Sequence, residues 1–546
     1  MIKCLIYIHL AMFLSTSLLF AQVENLPVSH PVYHFLERYE AMGILPYFST
    51  SDLPLPRKVI AEQLKKIRKY ENRLSQSELR YLKEFEDEFL SDNIQRNVLI
   101  DSKSDSGSIF FKGIISNNEK YFYYYADSVN SVRFLPLASL DFFVKQSDLG
   151  GDLSVALGTL GLRLHGTIDD LLGYYLQATN GAVLSGDREL ATEDNRLSHN
   201  VKFMRYNSDF DFSESSLRLE KNWFFASIGK ETRLLGAGLQ QRAFISTLAP
   251  TFDAIDLGTK FMQFNYRFTH ASLIPYVKDG FNYGFNAKLP PKYMAMHRFA
   301  LTPSWGEFAF WESVVYSERT VDLGYLNPLS FLKSCEHSLH DRDNSAMGFD
   351  LTFRPLSRLQ FKGSFLLDDI IFSEIGKSFW SNKTAVNASL MYASPWDFDF
   401  GFEYARVEPY TFSHFNYLNS MTHDSAIFAG SLQPNSDQFT FLCRIWHSIR
   451  YPIEISMSYR QQGKNIYDEN DSLIKNVGSD PLESIRPGDP TKIKFLDGRR
   501  EYTFLLGISA GIEIIRQFSV HCNYMMKSVN GDINHLIRFT LFFEDF

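Results

Sequence analysis

The chain has 546 residues and a net charge of −8 at pH 7, a mild acidity that argues against nucleic acid, which wants a basic patch. Aromatics make up 15% of it, with 49 Phe and 28 Tyr, yet the mean hydropathy is only −0.18. Past the N-terminus no window holds the roughly 18 consecutive apolar residues of a membrane-spanning helix.

Residues 1–21 read as a secretory signal peptide. Lys3 gives a small positive start, Leu5 to Phe20 is an apolar run, and the expected cleavage follows Ala21. Cys4 precedes the run, so it is not a lipoprotein anchor. Cys335, Cys443 and Cys522 remain, an odd and scattered set that makes no disulfide framework.

Residues 22–100 are expected to form a small helical bundle, placed in the periplasm. Pro31 suits a first helical turn, Val32, Phe35, Leu36 and Tyr39 share one face, and Gly43 stops the helix. After Pro54 and Pro56, Arg57 to Tyr70 carries the stripe Val59, Ile60, Leu64 and Ile67. Ser75 and Glu78 form a capping box, and Leu79, Leu82, Phe85 and Phe89 follow at helical spacing.

From residue 109 to 546 the period is two. Phe349, Leu351 and Phe353 alternate with Asp350 and Thr352, and Phe398, Phe400 and Phe402 with Asp399 and Gly401. Tyr502 to Ala510 and Phe518 to Met526 run on similarly. Several runs reach about nine or ten residues, the length of a tilted membrane strand, against about five or six in globular sheets. Lipid-facing apolar residues alternating with lumen-facing polar ones also explain how so many aromatics coexist with a low mean hydropathy. At roughly 22–27 residues per strand and connection, the region holds about 16 to 20 strands, with about 18 as the central value. Candidate long loops are 182–200, 333–345, 409–436 and 461–500. Arg354, Lys362, Glu403, Arg444 and Glu454 would point inward, in an open or a filled lumen. The last stretch alternates Ile537, Phe539, Leu541 and Phe543 with Arg538, Thr540 and Phe542, and Phe546 ends the chain out of phase. The expectation is an all-β transmembrane barrel of antiparallel strands in the outer membrane of a Gram-negative-type bacterium. Its partners would be outer-membrane lipid and the barrel-assembly machinery. A large secreted β-sandwich is the alternative.

No catalytic motif stands out: there is no His-Glu-x-x-His, phosphate-binding Gly-rich loop or Cys-x-x-Cys. The chain is therefore not read as an enzyme, and no cofactor is expected. Cys335, His337, His340 and Asp341 could hold a metal but read as solvated loop residues. Asp368 and Asp369 are adjacent on a strand, so they face opposite sides and make a poor acid–base couple.

The densest constellation lies mid-chain: His297-Arg298, Glu312 with Tyr316, Tyr325-Leu-Asn327-Pro328, Asp343-Asn344, Gly348-Phe-Asp350 and Asp368-Asp369. With Leu235-Gly236-Ala-Gly238 upstream, this series resembles the Wzi family of capsule-assembly outer-membrane proteins. The resemblance implies a non-catalytic barrel with a periplasmic helical bundle that binds capsular or extracellular polysaccharide at the cell surface, as a lectin does. Glu312, Tyr325, Asn327, Asp343 and Asn344 are the candidate ligand-binding residues, because carboxylates and amides hydrogen-bond hydroxyls and aromatic rings cover the apolar faces of sugars. The same residues could instead form a polar network bracing the lumen. A substrate-specific porin or polysaccharide export channel is the competing function, and a head that grips cell-wall polymers a third.

Overall fold

The computed structural model describes residues 22–48, 50–90, 121–147, 150–206, 209–276, 289–340, 342–515 and 518–543. The expected signal peptide, Asp341 of the candidate metal cluster and the terminal Phe546 lie outside them.

Eighteen antiparallel strands close into a barrel. In chain order they are β1 (Ser131–Ser147), β2 (Leu153–Ile168), β3 (Leu172–Gly186), β4 (Asp209–Lys221), β5 (Phe224–Glu231), β6 (Phe252–Phe261), β7 (Phe264–Leu273), β8 (Lys292–Leu301) and β9 (Gly306–Ser317). The second half comprises β10 (Asn344–Leu356), β11 (Leu359–Asp369), β12 (Lys383–Ala393), β13 (Phe398–Val407), β14 (Ser436–Ile445), β15 (Ile453–Lys464), β16 (Arg499–Ile515), β17 (Phe518–Val529) and β18 (Asp532–Phe543). The C-terminal strand closes the ring on the first, with Asn534 opposite Ser147 and Phe543 opposite Ala138. Side chains follow the alternation: Phe349, Phe402 and Phe539 point out and are exposed, while Asp350, Glu403 and Thr540 point in and are buried. The two ends differ. At one, the described connections are all short (169–171, 222–223, 262–263, 302–305, 357–358, 394–397 and 446–452). The other carries every long connection, including 187–208, 232–251, 318–343, 408–435 and 465–498.

Three helices sit at the short-turn end: α1 (Val32–Met42), α2 (Arg57–Arg68) and α3 (Gln76–Phe89). Gly43 ends α1 with φ 77°, and the Ser75–Glu78 capping box starts α3, each side chain bonding the other residue's amide. Their stripes meet in a core of Phe35, Leu36, Tyr39, Ile60, Leu64, Ile67, Leu82, Phe85 and Phe89, with Trp446 added from a short turn of the barrel. Buried ion pairs fix this head to the wall at separated strands. Glu24 meets Arg133 of β1 at 3.0 Å. Asp52 meets Arg267 of β7 at 3.1 Å. Arg38 pairs with Asp399 of β13, and Glu37 with Lys362 of β11. Such charges depend on each other, because a buried ion left alone keeps its full desolvation cost.

The lumen is filled on one side. Connection 232–251 turns inward from the long-loop end and reaches the head, where Leu234–Leu235 pair with Asp52–Leu53. Glu403 of β13 accepts the amides of Leu239, Gln240 and Gln241 at 2.7, 3.1 and 2.9 Å. Gly238 is required there, since a Cβ would stand 2.1 Å from the Gln241 carbonyl oxygen. Connection 408–435 also bends in. Together they bring Leu235, Phe244, Ile245, Phe412, Met421, Phe428 and Leu432 against Met294, Met296 and Trp311 of the wall, forming an apolar core inside the barrel.

Candidate functional site

The candidate residues fall into four places. Tyr325 lies in a helical turn, Leu323–Leu326, whose start is capped by Asp322 on the Gly324 amide at 2.9 Å. Its hydroxyl donates to Asp343 at 2.8 Å, and Arg319 grips both oxygens of the same carboxylate at 2.8 and 2.6 Å. Arg319 also covers the ring of Tyr316, 4.7 Å from its centroid. Tyr325 and Asp343 are thus brought together, with Arg319 as a partner that the sequence reading did not name. Glu312 is separate: its carboxylate accepts the Leu332 amide at 3.0 Å and holds the helix Leu332–Ser338. Asn327 is exposed and accepts the Leu329 amide at 3.1 Å. Asn344 faces the lumen and donates to the Asn419 carbonyl at 2.9 Å. Glu312 and Tyr325 stand on the outer face of the wall, not in the lumen, because Trp311, the neighbour of Glu312, is the residue that enters the inner core.

The remaining motif residues brace the interior. Arg298 bonds Glu307 at 2.5 Å, Asp350 at 3.3 Å and Ser51 of the head at 3.0 Å. Asp368 accepts the Phe412 amide at 2.7 Å, whereas Asp369 turns outward toward Lys383. Cys335 donates to the Gly324 carbonyl, and among the described residues no three His, Cys, Asp or Glu side chains converge as metal ligands would.

Opposite the filled side, a cavity of about 1200 Å³ lies between β1–β5, the inward-turned 239–251 and the outer helices of connection 187–208. Tyr175, Gln177, Arg163, Glu214, Lys230 and Arg242 are among its lining. Gln177 accepts from both Tyr175 and Arg163, at 2.8 and 2.9 Å. Across the cavity Arg538 joins Asp141 at 2.6 Å to Asp194 at 3.0 Å, tying the outer connection to the wall. Charges of both signs, planar amides and a phenol ring surround the cavity, an arrangement suited to a hydroxyl-rich ligand. The sequence reading missed this set, since its members come from six strands and two connections far apart in the chain.

No family model and no curated protein matches the chain. Among solved structures it is similar to Wzi of Escherichia coli, described as an outer membrane protein involved in group 1 capsule assembly and a carbohydrate-binding β-barrel. The likeness covers 95% of this chain and 99% of that one, with a TM-score of 0.57 at 10% identity. The chain is a β-barrel of the bacterial outer membrane. Its apolar outward face suits a surrounding bilayer, and its closed ring leaves no strand edge unpaired there. OprD of Pseudomonas aeruginosa covers 76% of this chain and 92% of its own at a TM-score of 0.42 and 10% identity, and OpdL of that organism 76% and 98% at 0.41 and 10%.

Proposed function

We propose that the protein anchors capsular or extracellular polysaccharide at the cell surface without catalysing a reaction. The observation that carries this reading is the lumen filled on one side: connections 232–251 and 408–435 pack an apolar core inside the wall, and the head pairs with the first of them. A conduit for polymer would need that volume free. In this reading the short-turn end and the head face the periplasm and the long connections face outward, as in transmembrane barrels generally. Assembly runs through the barrel-assembly machinery. The similarity to a barrel described as carbohydrate-binding supports the ligand class, and the cavity supplies its site, with the outer connections next to it. Single sugar contacts are weak, but one long chain meeting many barrels gains avidity without a stronger local contact.

The test is a deletion strain. Polymer should leave the cells for the medium while total synthesis stays constant, and the double variant Tyr175→Phe, Gln177→Ala should reproduce part of that release with normal barrel levels. The cavity itself favours a second reading, a selective channel for a small solute, because it extends from head residues Pro27–Ser29 to the outer connections. A deletion strain that keeps all its polymer and loses uptake of a small solute would replace the anchor with that channel.

A further inference from the structure

A transmembrane strand gives one face to protein and the other to lipid, so burial alternates along it. β9 departs from this: every residue from Trp311 to Ser317 is buried, as is every residue of β8 from Met294 to Arg298. Trp311, Val315, Met294 and Met296 face the inner core. Val314, Tyr316, Ala295 and the Phe268 of β7 face out, and Tyr325 and Leu332 of connection 318–343 pack over them. At uncovered outward positions nearby, Phe308 and Phe349 remain 47% and 42% exposed.

Four contacts trace the path of the connection. The Asp322 amide meets the Tyr316 hydroxyl near the long-loop rim at 3.4 Å. The Pro328 carbonyl accepts from Tyr266, close to the short-turn end of β7. The Leu332 amide meets Glu312 midway along β9. Ser345 then donates to Glu336 at 2.6 Å, back at the rim. The segment descends the outside of the barrel and climbs back.

Its outward side chains are sorted by depth except for the exposed Asn327, whose Oδ1 accepts the Leu329 amide. Leu323, Leu329 and Phe331, on the descent and at its floor, are 78%, 88% and 56% exposed. His337, Ser338, His340 and Arg342, on the return, are exposed and polar. Beneath the segment lie groups unsuited to hydrocarbon. His297 and Glu312 are direct cross-strand partners on the outer face, and among the described residues His297 Nε2 and Glu312 Oε2 have no hydrogen-bond partner. Bare to lipid, they would be costly.

We propose that residues 318–340 form a flap embedded in the bilayer, with Leu323, Leu329 and Phe331 in contact with acyl chains and the His297–Glu312 pair sealed under it. The band of Phe308, Phe310 and Phe349 continues on the wall beside it, so the flap belongs to one apolar belt, and the bonds from Glu312, Tyr266 and Tyr316 meet the rule that irregular backbone at membrane depth be satisfied by protein.

The test uses the full-length mature protein with Cys335, Cys443 and Cys522 changed to Ser, reconstituted in phosphatidylcholine vesicles. A nitroxide is attached at Leu329→Cys, with Phe331→Cys as a second site and His337→Cys as the rim comparison. Collision with oxygen should dominate at 329 and 331 and collision with aqueous nickel chelate at 337. Nickel access at 329 and 331 would place the flap in water and overturn the proposal. Exclusion of both reagents there would also overturn it, showing that protein, such as a second copy, covers the flap in place of lipid.

Discussion

Phe244 lies flat on Trp311, ring centroids 3.9 Å apart and planes within 4° of parallel. One ring comes from a connection that starts at the long-loop end and the other from the wall, so this stack fastens the inward-turned segment to the barrel. Phe244→Ala should lower stability by about 3–5 kcal/mol, the usual loss for a buried Phe, and Phe244→Leu by much less. The temperature at which the protein loses its folded mobility on gels measures this. An unchanged temperature for Phe244→Ala would mean that the stack holds nothing in place.

Glu403 gives the second handle on the same segment. Its carboxylate takes three consecutive amides, and hydrogen bonds to a charged group are worth roughly 1.5–3 kcal/mol each. The wild type should show no steady conductance in planar bilayers, whereas Glu403→Ala should show openings. Gly238→Ala, which drives a methyl into the Gln241 carbonyl, should do the same. Silent bilayers for both variants would assign closure to connection 408–435 or to the head.

Two head carboxylates predict opposite pH trends. Burial pushes Glu40 up from the usual 4.5 to about 8. Its stabilising effect is complete below about 4.5 and is lost as pH rises toward 8, a change on the order of 4–5 kcal/mol for a shift of this size. For Glu24 burial also pushes upward, but the His165 hydrogen bond and the charges of Arg133, His165 and Arg57 outweigh it and hold the group at about 2. That contribution is present above 4.5 and lost as pH falls toward 2. Stability measured by thermal unfolding in detergent should therefore fall with rising pH between 5 and 8, and Glu40→Gln should flatten that fall. A slope identical in the wild type and Glu40→Gln would show that Glu40 ionises normally.

The barrel was legible because alternation is local: each strand from β9 to β18 declares its two faces in five or six residues, and dividing the region by a typical strand-plus-connection length reaches eighteen. The helices were equally plain, marked by Gly43 and by the Ser75–Glu78 box. What could not be read is where connections go after they leave the wall. Leu235, Phe244 and Ile245 look like an ordinary apolar loop until Trp311 is placed opposite. An inward Met294, Met296 and Trp311 contradict a polar lumen, and only the inserted segment explains them. Glu312 and Tyr325 were singled out as residue types that suit sugars. Their neighbours, the Leu332 amide and Asp343, depend on a flap that doubles back over the outside, and no period in the sequence encodes that turn. The expected loop at 182–200 was placed too early, because β3 runs on to Gly186 and β4 begins at Asp209, and that at 461–500 was drawn too wide, because β15 runs to Lys464 and β16 begins at Arg499.

Three of the head's ion pairs, to β1, β7 and β13, fall six strands apart on a ring of eighteen, with the Glu37 pair to β11 beside the third, so these three anchorages divide the circumference into thirds. Three fixed points determine a circle. A hollow barrel can flatten into an ellipse when the surrounding bilayer squeezes it, whereas this one carries spokes that meet in a shared hub. A pull on any outer connection is therefore spread around the rim, and the cross-section keeps its shape under load.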